Sequence, residues 1–375
     1  MTIGSVETQF FTIPVPFPFE CGVVLDEVVL AYETYGTLNA DHSNAILLFH
    51  ALTGSQHAAG QNPAVAGVAL WTKDCVMGWW DEFIGPGKAI DTDEHFVICA
   101  NYLGSCYGST GPRSVNPQTG ELYGGDFPSV SALDVIQSQL HLLKYLGIDC
   151  LKAVIGGSLG GMMAMLLAQR FPAMVRTVML LATGKETTAL QRILNFEQIM
   201  AIRNDPLYQG GNYQTDAAPK EGLALARMVS HKTFVSLKVL ENRARREIAG
   251  DTRMGEFYAL SHPIESYMLY QGYKFAARFD ANSYLRIIDM WQRYQLEPMD
   301  ARQIRACGHQ RYLIFSIDSD VCFYPDEQMT IVKELEAGKI DVTYITVHSD
   351  KGHDSFLLEP ELYAPYMRFM LGAIG

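Results

Sequence analysis

The sequence predicts an α/β fold in which helices cover both faces of a mostly parallel sheet. Two observations carry this prediction. Short apolar runs alternate along the chain with longer stretches of helical periodicity, as in chains built from strand–helix–strand units. The apolar runs are continuous rather than alternating, which is typical of strands buried on both faces of a parallel sheet.

Six of these runs have the length and composition of buried strands. They are short, contain β-branched or aromatic residues, and are bounded by turn-forming residues. They read AILLFH (45–50), FVICAN (96–101), KAVIGG (152–157), TVMLLAT (177–183), YLIFSID (312–318) and VTYITVH (342–348). An earlier stretch, VVLDEVVLAYETYG (23–36), predicts a leading antiparallel strand or strand pair.

The segment SVSALDVIQSQLHLLKYLG (129–147) predicts an amphipathic helix. Its apolar positions at helical spacing are Leu133, Ile136, Leu140 and Leu143. These side chains would form one apolar face. Gly147 follows as a stop signal, because glycine readily adopts the left-handed conformation that ends many helices.

A helical insertion interrupts the alternation. From about residue 185 to 296 the strand-like runs disappear and long polar–apolar helical patterns replace them, and the strand pattern then resumes. We therefore predict a core formed by residues 1–184 and 297–375, with an inserted helical domain of residues 185–296.

The composition argues against several classes of protein. The chain has 375 residues, 48% of them hydrophobic, which is enough for a large core. A net charge of −12 and the lack of a prominent basic block argue against nucleic-acid binding. The nearest basic run, NRARREIAG (242–250), is interpreted as the solvated face of a helix.

The N-terminus does not have the pattern of a signal peptide, and no apolar run approaches the roughly 18 residues of a membrane span. We therefore expect a cytoplasmic protein without membrane contact.

The cysteines and histidines do not indicate a metal site. The seven cysteines are scattered, and no pair has C-x-x-C spacing, so we interpret them as free thiols in a reducing compartment. His50 and His57 invite a metal interpretation, but their neighbours contain no further ligand cluster. We therefore expect no metal.

The decapeptide VIGGSLGGMM (154–163) places a serine among glycines, after a predicted strand and before a predicted helix. This is the context of the G-x-S-x-G nucleophile elbow, in which glycines let the backbone pass close to a serine held on a strained turn. The Oγ of Ser158 would then project at the carboxyl edge of the sheet, where a helix N-terminus favours negative charge. An ordinary tight turn is the alternative, and the residues available to assist Ser158 decide between the two.

A serine nucleophile needs a base, and the base needs a carboxylate to orient it. In chains with this elbow the acid follows the serine, and the histidine comes last. Asp318 and Asp320 follow one late strand, and His348 and His353 follow the next. Asp318 and His348 end their strand runs and are expected to point into the sheet packing. Loop residues can reach the sheet edge, so we predict a triad of Ser158, Asp320 and His353.

Acyl transfer also needs hydrogen-bond donors for the oxyanion that develops on the substrate carbonyl. One predicted donor is the backbone N–H of Leu159, which follows the nucleophile. We assign the other to the backbone N–H of Leu52, in the loop after the AILLFH strand.

Over its whole length the chain resembles the homoserine O-acetyltransferases of methionine biosynthesis, which are α/β-hydrolase-fold enzymes. The resemblance rests on long stretches in a fixed order, which are more specific than a triad motif. They are HALTGSQHAAG (50–60), GWWDEFIGPGKAIDTDEHFVICANYLGSCYGSTGPRSVNP (78–117), YGGDFPSVSALD (123–134), GGSLGGMMAM (156–165), GLALARM (222–228), YQGYKFAARFDANSYL (270–285), SDVCFYP (319–325) and GHDSFLLEP (352–360).

The resemblance implies an α/β-hydrolase fold in which the insertion forms a helical lid, and a homodimer assembled through that lid. It implies that acetyl-CoA, a co-substrate rather than a bound cofactor, acylates Ser158, and that the acetyl group passes to the side-chain hydroxyl of L-homoserine. It further implies that Arg227 pairs with the carboxylate of the amino acid and Asp354 with its ammonium group. A guanidinium fork and a carboxylate suit the two charges of a zwitterion.

Two stretches depart from the family's usual pattern. VCFYP (321–325) stands where the family usually has Trp-Leu-Phe-Pro after the acid, and relatives that prefer succinyl-CoA resemble SDWRF. A succinyl tail ends in a carboxylate that needs a cation, and Cys322 supplies none, so we expect an acetyl donor. SHKTFVSLKVL (230–240) lies where relatives often have a Thr-Tyr pair, which leaves the identity of the acceptor open.

Several alternatives share the acyl-serine chemistry. They are transfer to L-serine, transfer from succinyl-CoA, and hydrolysis of simple esters. A non-catalytic binding protein of the same fold would normally have lost a triad residue, and here all three residue types are present in order.

Overall fold

An eight-stranded sheet forms the centre of the computed structural model, which describes residues 2–244, 258 and 260–372. The strands are β1 (Gln9–Thr12), β2 (Phe17–Pro18), β3 (Val24–Leu25), β4 (Val29–Tyr35), β5 (Ala45–Phe49), β6 (Phe96–Ala100), β7 (Leu151–Gly157), β8 (Val175–Leu181), β9 (Arg311–Ile317) and β10 (Asp341–Val347). The order across the sheet is β1-β4-β6-β5-β7-β8-β9-β10. Every neighbouring pair from β6 to β10 is parallel, and β4 pairs antiparallel with β1 and β6.

The six predicted strands are confirmed as β5 to β10, but the prediction that all six are buried was wrong for β10. In β5 every residue is buried. Because successive side chains of a strand point to opposite faces, Leu47 and Phe49 join one hydrophobic core, and Ile46 and Leu48 join the other. The continuous apolar runs therefore fill a core on each side of the sheet. Strand β10 differs because it is the edge strand, and among its residues only Val347 is fully buried.

The N-terminal strands belong to two separate sheets, which the sequence does not predict. The stretch 23–36 does contain two strands, but they do not pair with each other. Strand β3 pairs with β2 in a separate two-stranded ribbon, whereas β4 joins the main sheet. Strand β1, which the sequence analysis missed, adds the outer antiparallel edge beside β4.

The helices are α1 (Ala132–Tyr145), α2 (Leu159–Arg170), α3 (Ala189–Arg203), α4 (Lys220–Phe234), α5 (Leu237–Ala244), α6 (Pro263–Ala276), α7 (Ala281–Gln292), α8 (Ala301–Cys307), α9 (Pro325–Ala337), α10 (Ser355–Leu358) and α11 (Pro360–Gly372). The predicted amphipathic helix is confirmed as α1. Ser131 and Asp134 form a reciprocal capping box at its start. Gly147 follows its end with a φ of +72°, as expected for a glycine stop signal.

Helices α3 to α7 lie between β8 and β9 along the chain, within the predicted insertion. The two strands are nevertheless neighbours in the sheet, with Thr177 opposite Arg311 and Leu181 opposite Phe315. Helix α4 packs against both α3 and α6. The basic run 242–250 belongs to α5 only at its start, and residues 245–250 lie outside the described residues.

Two further features of the described chain bear on the sequence analysis. No helix within residues 2–244 and 260–372 is long and apolar enough to cross a membrane. All seven cysteines are free thiols, and four of them are buried.

Candidate active site

Ser158 occupies the sharp turn between β7 and α2. Its φ of +56° and ψ of −129° lie outside the regions that non-glycine residues normally occupy, so the backbone there is strained. Neighbouring groups hold this conformation. The Ser158 N–H donates to the Leu181 carbonyl oxygen at 2.9 Å, and the Thr183 hydroxyl donates to the Ser158 carbonyl oxygen at 2.7 Å. The geometry is that of a nucleophile elbow rather than an ordinary tight turn.

The glycines of the elbow are required by close packing. A Cβ on Gly156 would lie 2.1 Å from the carbonyl oxygen of Gly160, and a Cβ on Gly160 would lie 2.2 Å from that of Phe49. Any side chain at these positions would push α2 away from the sheet. The glycine pattern therefore sets the position of α2, whose first N–H groups have no acceptor within the helix and face the turn.

Asp320 and His353 form a buried pair. His353 Nδ1 lies 2.7 Å from Asp320 Oδ2, and the two side chains are 5% and 0% exposed. The other carboxylate oxygen, Oδ1, accepts the N–H groups of Cys322 at 2.7 Å and Phe323 at 3.0 Å. The loop after β9 thus holds the carboxylate, and the carboxylate holds the imidazole. With Nδ1–H directed at Asp320, Nε2 of a neutral His353 is available as a base.

Burial opposes the charged form of His353, but the attraction of Asp320, together with that of Asp354 and Glu327, outweighs it. The pKa of His353 is therefore raised above its ordinary value of 6.5. The aromatic rings of Phe323 and Phe356 pack against the imidazole with centroids 5.5 and 5.3 Å away. Phe356 also closes on the elbow, since a Cβ on Gly157 would lie 2.5 Å from its ring. The same phenylalanine thus contacts both the histidine and the residue that precedes Ser158.

The structure also contains a second Asp–His pair, formed by the two candidate residues that the sequence prediction set aside. Asp318 Oδ2 lies 2.8 Å from His348 Nδ1, but these side chains are 42% and 83% exposed. The expectation that Asp318 and His348 point into the sheet packing was wrong. Both lie just past the ends of adjacent strands, after the last buried residues Ile317 and Val347, where the packing of the sheet has ended. Of the two pairs, Asp320–His353 is the buried one.

The two predicted oxyanion donors have different structural settings. Leu159 is the first residue of α2, so its N–H has no acceptor within the helix. Leu52 lies in the loop after β5, where His50 orients the preceding peptide by donating from Nδ1 to the Ala51 carbonyl oxygen at 2.8 Å. That carbonyl and the Leu52 N–H belong to one planar trans peptide and point in opposite directions. Fixing the carbonyl therefore fixes the direction of the Leu52 N–H.

His50 has a structural role that the sequence did not indicate. Burial lowers the pKa of His50 to about 4, so the ring is neutral and its single proton serves the bond to Ala51. Tyr102 stacks on the ring with centroids 3.7 Å apart, and its hydroxyl donates to the His50 carbonyl oxygen at 2.6 Å. The only sequence signal was the presence of a histidine at a strand end.

Arg227, on α4, faces a cavity of about 260 Å³ that Thr53, Ser55, Trp79 and Tyr107 also line. Its guanidinium carbon lies 5.1 Å from the ring centroids of both Phe234 and Phe275. Burial lowers the pKa of Arg227, and repulsion from Arg278 adds to the effect. The cation therefore gains from an anionic partner in the cavity.

Asp354 completes the group of predicted site residues. It lies in the turn 352–354 directly after His353. Its carboxylate acts electrostatically on both Arg227 and His353, since it favours the charged form of each. Asp354 thus follows the histidine of the buried pair and interacts electrostatically with Arg227.

The insertion also contacts the loop after β9 that carries Asp320, here called the acid loop, and the sequence did not indicate this contact. Gln191, on α3, donates from Nε2 to the Cys322 carbonyl oxygen at 2.8 Å and to Glu327 at 3.2 Å. Burial raises the pKa of Glu327 to about 7. No sequence pattern joins residues so far apart. Among the described residues, no group of three or more His, Cys, Asp or Glu side chains is arranged to hold a metal ion.

Relatives of known name match nearly the whole chain. A homoserine O-acetyltransferase from Methanohalobium evestigatum is 42% identical over 363 residues, which cover 96% of this chain and 72% of that protein. A homoserine O-acetyltransferase from Geobacter metallireducens is 40% identical, with 100% and 99% covered. A homoserine O-succinyltransferase from Acidithiobacillus ferrooxidans is also 40% identical, with 100% and 97% covered.

Comparison with solved structures gives the same fold. A homoserine O-acetyltransferase from Bacillus anthracis superposes with a TM-score of 0.86 at 29% identity, covering 99% of this chain and 98% of that one. Esterase E22 has the same TM-score at 28% identity, with 98% and 100% covered. The family model described as alpha/beta hydrolase fold matches residues 44–360. The resemblance seen in the sequence is confirmed: the chain belongs to the homoserine O-acetyltransferase family of α/β-hydrolase-fold proteins.

Proposed function

We propose that this protein transfers an acetyl group from acetyl-CoA to the side-chain hydroxyl of L-homoserine, a step of methionine biosynthesis, through an acyl-enzyme on Ser158. The observation that carries the proposal is the buried Asp320–His353 pair behind a strained serine elbow. The names of the relatives support this donor and acceptor.

In the first half-reaction, His353 Nε2 takes the proton of Ser158 as Oγ attacks the thioester carbonyl carbon. The N–H groups of Leu52 and Leu159 stabilise the oxyanion. The C–S bond then breaks, the ester forms on Ser158, and the proton on His353 passes to the departing CoA sulfur. Asp320 keeps the imidazole in the reactive tautomer and stabilises its charged form.

In the second half-reaction, His353 takes the proton of the homoserine hydroxyl, whose oxygen attacks the acyl carbon. The ester bond to Ser158 breaks, and its Oγ recovers the proton. In this scheme Arg227 pairs with the carboxylate of homoserine and Asp354 with its ammonium group. The mutual position of these two charges selects an amino acid rather than a simple alcohol.

Transfer rather than hydrolysis requires that water be excluded from the acyl-enzyme. We assign that task to the inserted segment 185–296, acting as a lid domain on the core formed by the rest of the chain. Supporting this assignment, Phe234 at the end of α4 lies 6.0 Å from the His353 ring, centroid to centroid, and Gln191 contacts the acid loop. A lid that touches both the base and the acid loop is placed to control access to them.

Acetyl is the favoured acyl group because Cys322, the residue two positions after Asp320, is buried and uncharged. A succinyl carboxylate would find no cation there. Succinyl-CoA as donor and L-serine as acceptor remain alternatives, since a relative of equal identity is named a succinyltransferase. Hydrolysis of esters is a further candidate, because a structural neighbour is named an esterase.

The exposed apolar residues of the lid support a homodimer. On α3, Leu190, Ile193 and Phe196 are 43%, 56% and 57% exposed, and they recur every three residues on one face. An apolar face of this kind is typical of a protein interface, and a second copy of the lid is the occupant we propose. We place the protein in the cytoplasm, where acetyl-CoA is available. Light scattering on the wild type and on an Ile193→Glu variant tests the dimer, and a monomeric wild type would contradict it.

Mass spectrometry of the intact protein tests the reaction. Acetyl-CoA alone should add one acetyl group to Ser158, L-homoserine should then remove it, and Ser158→Ala should accept none. Initial rates across acetyl-CoA and succinyl-CoA, each with homoserine, serine and water, identify the donor and the acceptor. Absence of the acyl-enzyme, or activity retained by Ser158→Ala, would refute the mechanism.

A further inference from the structure

Strands β7 and β8 leave the sheet side by side in strained conformations. Gly157 lies opposite Leu181 at the ends of the two strands, so Ser158 follows β7 exactly where Ala182 follows β8. The φ of Ala182 is +46°, close to the +56° of Ser158. Among the residues that the structure describes, only these two non-glycine residues are both buried and at positive φ. A second residue is therefore held in strain directly beside the elbow.

Thr183, the residue after Ala182, contacts the elbow through its side chain. Thr183 is fully buried, and its hydroxyl donates to the Ser158 carbonyl oxygen at 2.7 Å. The same oxygen accepts N–H groups from the first turn of α2, that of Gly161 at 3.0 Å and that of Met162 at 3.4 Å. The carbonyl is thus held by α2 and, through Thr183, by the segment that follows β8.

The glycine pattern of the elbow leaves room for this threonine. A Cβ on Gly161 would lie 2.6 Å from the Cβ of Thr183 and 2.8 Å from its hydroxyl oxygen. The G-x-S-x-G motif requires glycine only at positions 156 and 160. The additional glycine at position 161 therefore lets Thr183 approach the backbone of the elbow.

Helix α9 holds the backbone of Thr183 in turn. The buried side chain of Gln328 donates from Nε2 to the Thr183 carbonyl oxygen. A Cβ on Gly184 would lie 2.6 Å from a carboxylate oxygen of Glu327, so α9 also packs closely against the next residue. These contacts fix the segment that leads from β8 into the insertion, and the hydroxyl of Thr183 has a fixed support.

The bond to Ser158 has a consequence at the next residue. The Ser158 carbonyl and the Leu159 N–H belong to one planar trans peptide and point in opposite directions. Fixing the carbonyl therefore fixes the direction of the Leu159 N–H, a predicted oxyanion donor. His50 holds the Leu52 N–H in the same way, through the Ala51 carbonyl oxygen. The two predicted donors thus share one construction, in which a buried side chain holds the carbonyl of the donor's own peptide.

We infer that Thr183 is a positioning residue whose hydroxyl directs the Leu159 N–H at the oxyanion. The inference rests on the proposed function and adds a residue that acts only through the Ser158 peptide. A misdirected N–H stabilises the oxyanion less, but it does not change how acetyl-CoA is bound before the reaction. Loss of the hydroxyl should therefore slow acylation and leave the affinity for acetyl-CoA unchanged. A threonine that contributed only to folding would lower the melting temperature alone.

Single-turnover acylation of Ser158 by acetyl-CoA measures the two effects separately, as a rate at saturation and a half-saturating concentration. Thr183→Val keeps the shape of the side chain and removes the hydroxyl. It should lower the rate at saturation roughly tenfold, less than the loss of about 10²–10³ when an oxyanion donor is removed outright, because the N–H remains. The half-saturating concentration should change by less than about twofold. Thr183→Ser keeps the hydroxyl and should recover most of the rate.

Thr187→Val is the matched control. Thr187 is likewise buried, but its hydroxyl donates to the carbonyl oxygens of Trp291 and Tyr294 and not to the elbow. This variant should keep the wild-type acylation rate even if its melting temperature falls. Gln328→Met, which releases the Thr183 carbonyl and leaves the hydroxyl in place, should slow acylation by a smaller factor than Thr183→Val. It also tests the inference if Thr183→Val does not fold, and an unchanged rate in Gln328→Met would then count against it.

Three results would overturn the inference. They are a folded Thr183→Val variant with the wild-type rate, a loss of affinity for acetyl-CoA in place of rate, and an equal loss of rate in Thr187→Val. A fluorophosphonate tests the same point without CoA, because it labels the serine with loss of fluoride and its phosphoryl oxygen takes the place of the oxyanion; Thr183→Val should slow this labelling too. If wild-type Ser158 reacts with this probe but not with acetyl-CoA, the proposed function has failed, and the probe decides on Thr183. If it reacts with neither, both proposals have failed.

Discussion

Asp320→Asn is the sharpest test of the site, because the surroundings of Asp320 dictate how an asparagine must sit. Oδ1 accepts two backbone N–H groups, from Cys322 and Phe323, and Oδ2 faces His353 Nδ1. An asparagine has one acceptor oxygen and one NH₂ group. Turning the NH₂ toward the two N–H groups would break two hydrogen bonds, at a cost of about 2–4 kcal/mol. The oxygen must therefore stay with the loop, and the NH₂ must face His353.

That orientation reverses the tautomer of the histidine. Nδ1 now has to accept a hydrogen bond, so the proton of the neutral ring moves to Nε2, which can no longer take the proton of Ser158. The same change in a serine-protease triad lowers turnover about 10⁴-fold, or about 5.4 kcal/mol at 1.36 kcal/mol per factor of ten. We expect a loss of this size in the rate of Ser158 acylation, measured by rapid quench and mass spectrometry.

The chain supplies a matched control in Asp318→Asn. Asp318 and His348 form a pair of the same chemistry with nearly the same distance, but it is exposed. Removing its charge should change the acylation rate less than twofold and the free energy of unfolding by less than about 1 kcal/mol. An Asp320→Asn variant that folds normally and acylates within tenfold of the wild type would refute the role given to Asp320.

Three further outcomes are expected. Arg227→Ala should raise the KM for homoserine roughly tenfold to a hundredfold and spare acylation by acetyl-CoA; equal loss in both half-reactions would show that Arg227 does not act on the acceptor. Because His353 must be neutral and its pKa is raised above 6.5, kcat/KM should increase with pH through that pKa and then level off. The Glu327→Gln variant should show the same increase of kcat/KM with pH. If the increase disappears in this variant, it belongs to Glu327, whose pKa is about 7, and not to His353. In the loop after β5, which carries Leu52, the His50→Asn variant keeps a hydrogen-bond donor near the Nδ1 position. It should therefore retain more acylation activity than His50→Gln at equal melting temperature. The reverse order would contradict the proposed role of His50 in orienting the Leu52 peptide.

Much of the fold could be predicted because its signals are local. A continuous apolar run such as AILLFH can be satisfied only by burial on both sides of a strand, and β5 is buried throughout. The elbow glycines are equally local, since they allow the contacts between Gly160 and Phe49 that hold α2 near the sheet. The order of serine, acid and histidine then led to the pair that the structure finds buried.

What the sequence did not show depends on contacts between distant segments or on very short strands. Strand β1 has only four residues, one of them buried, which is too short for a recognisable pattern, and its pairing with β4 decides its structure. The bond from His50 to a backbone carbonyl leaves no trace in any residue pattern. Asp318 was misplaced because the sequence does not show where the packing of a strand ends: Ile317 is the last buried residue of β9, and Asp318 lies just beyond it.

The order of strands in the sheet has a consequence for biosynthesis on the ribosome. In the proposed mechanism Ser158 emerges together with β7, but its acid and base are made only near the end of the chain. Strand β9 must also dock beside β8 after more than a hundred intervening residues have appeared. A serine without its imidazole is a weak nucleophile. A nascent or prematurely terminated chain therefore exposes no reactive hydroxyl to the thioesters around it. The Ser158 hydroxyl becomes reactive only when the sheet is complete.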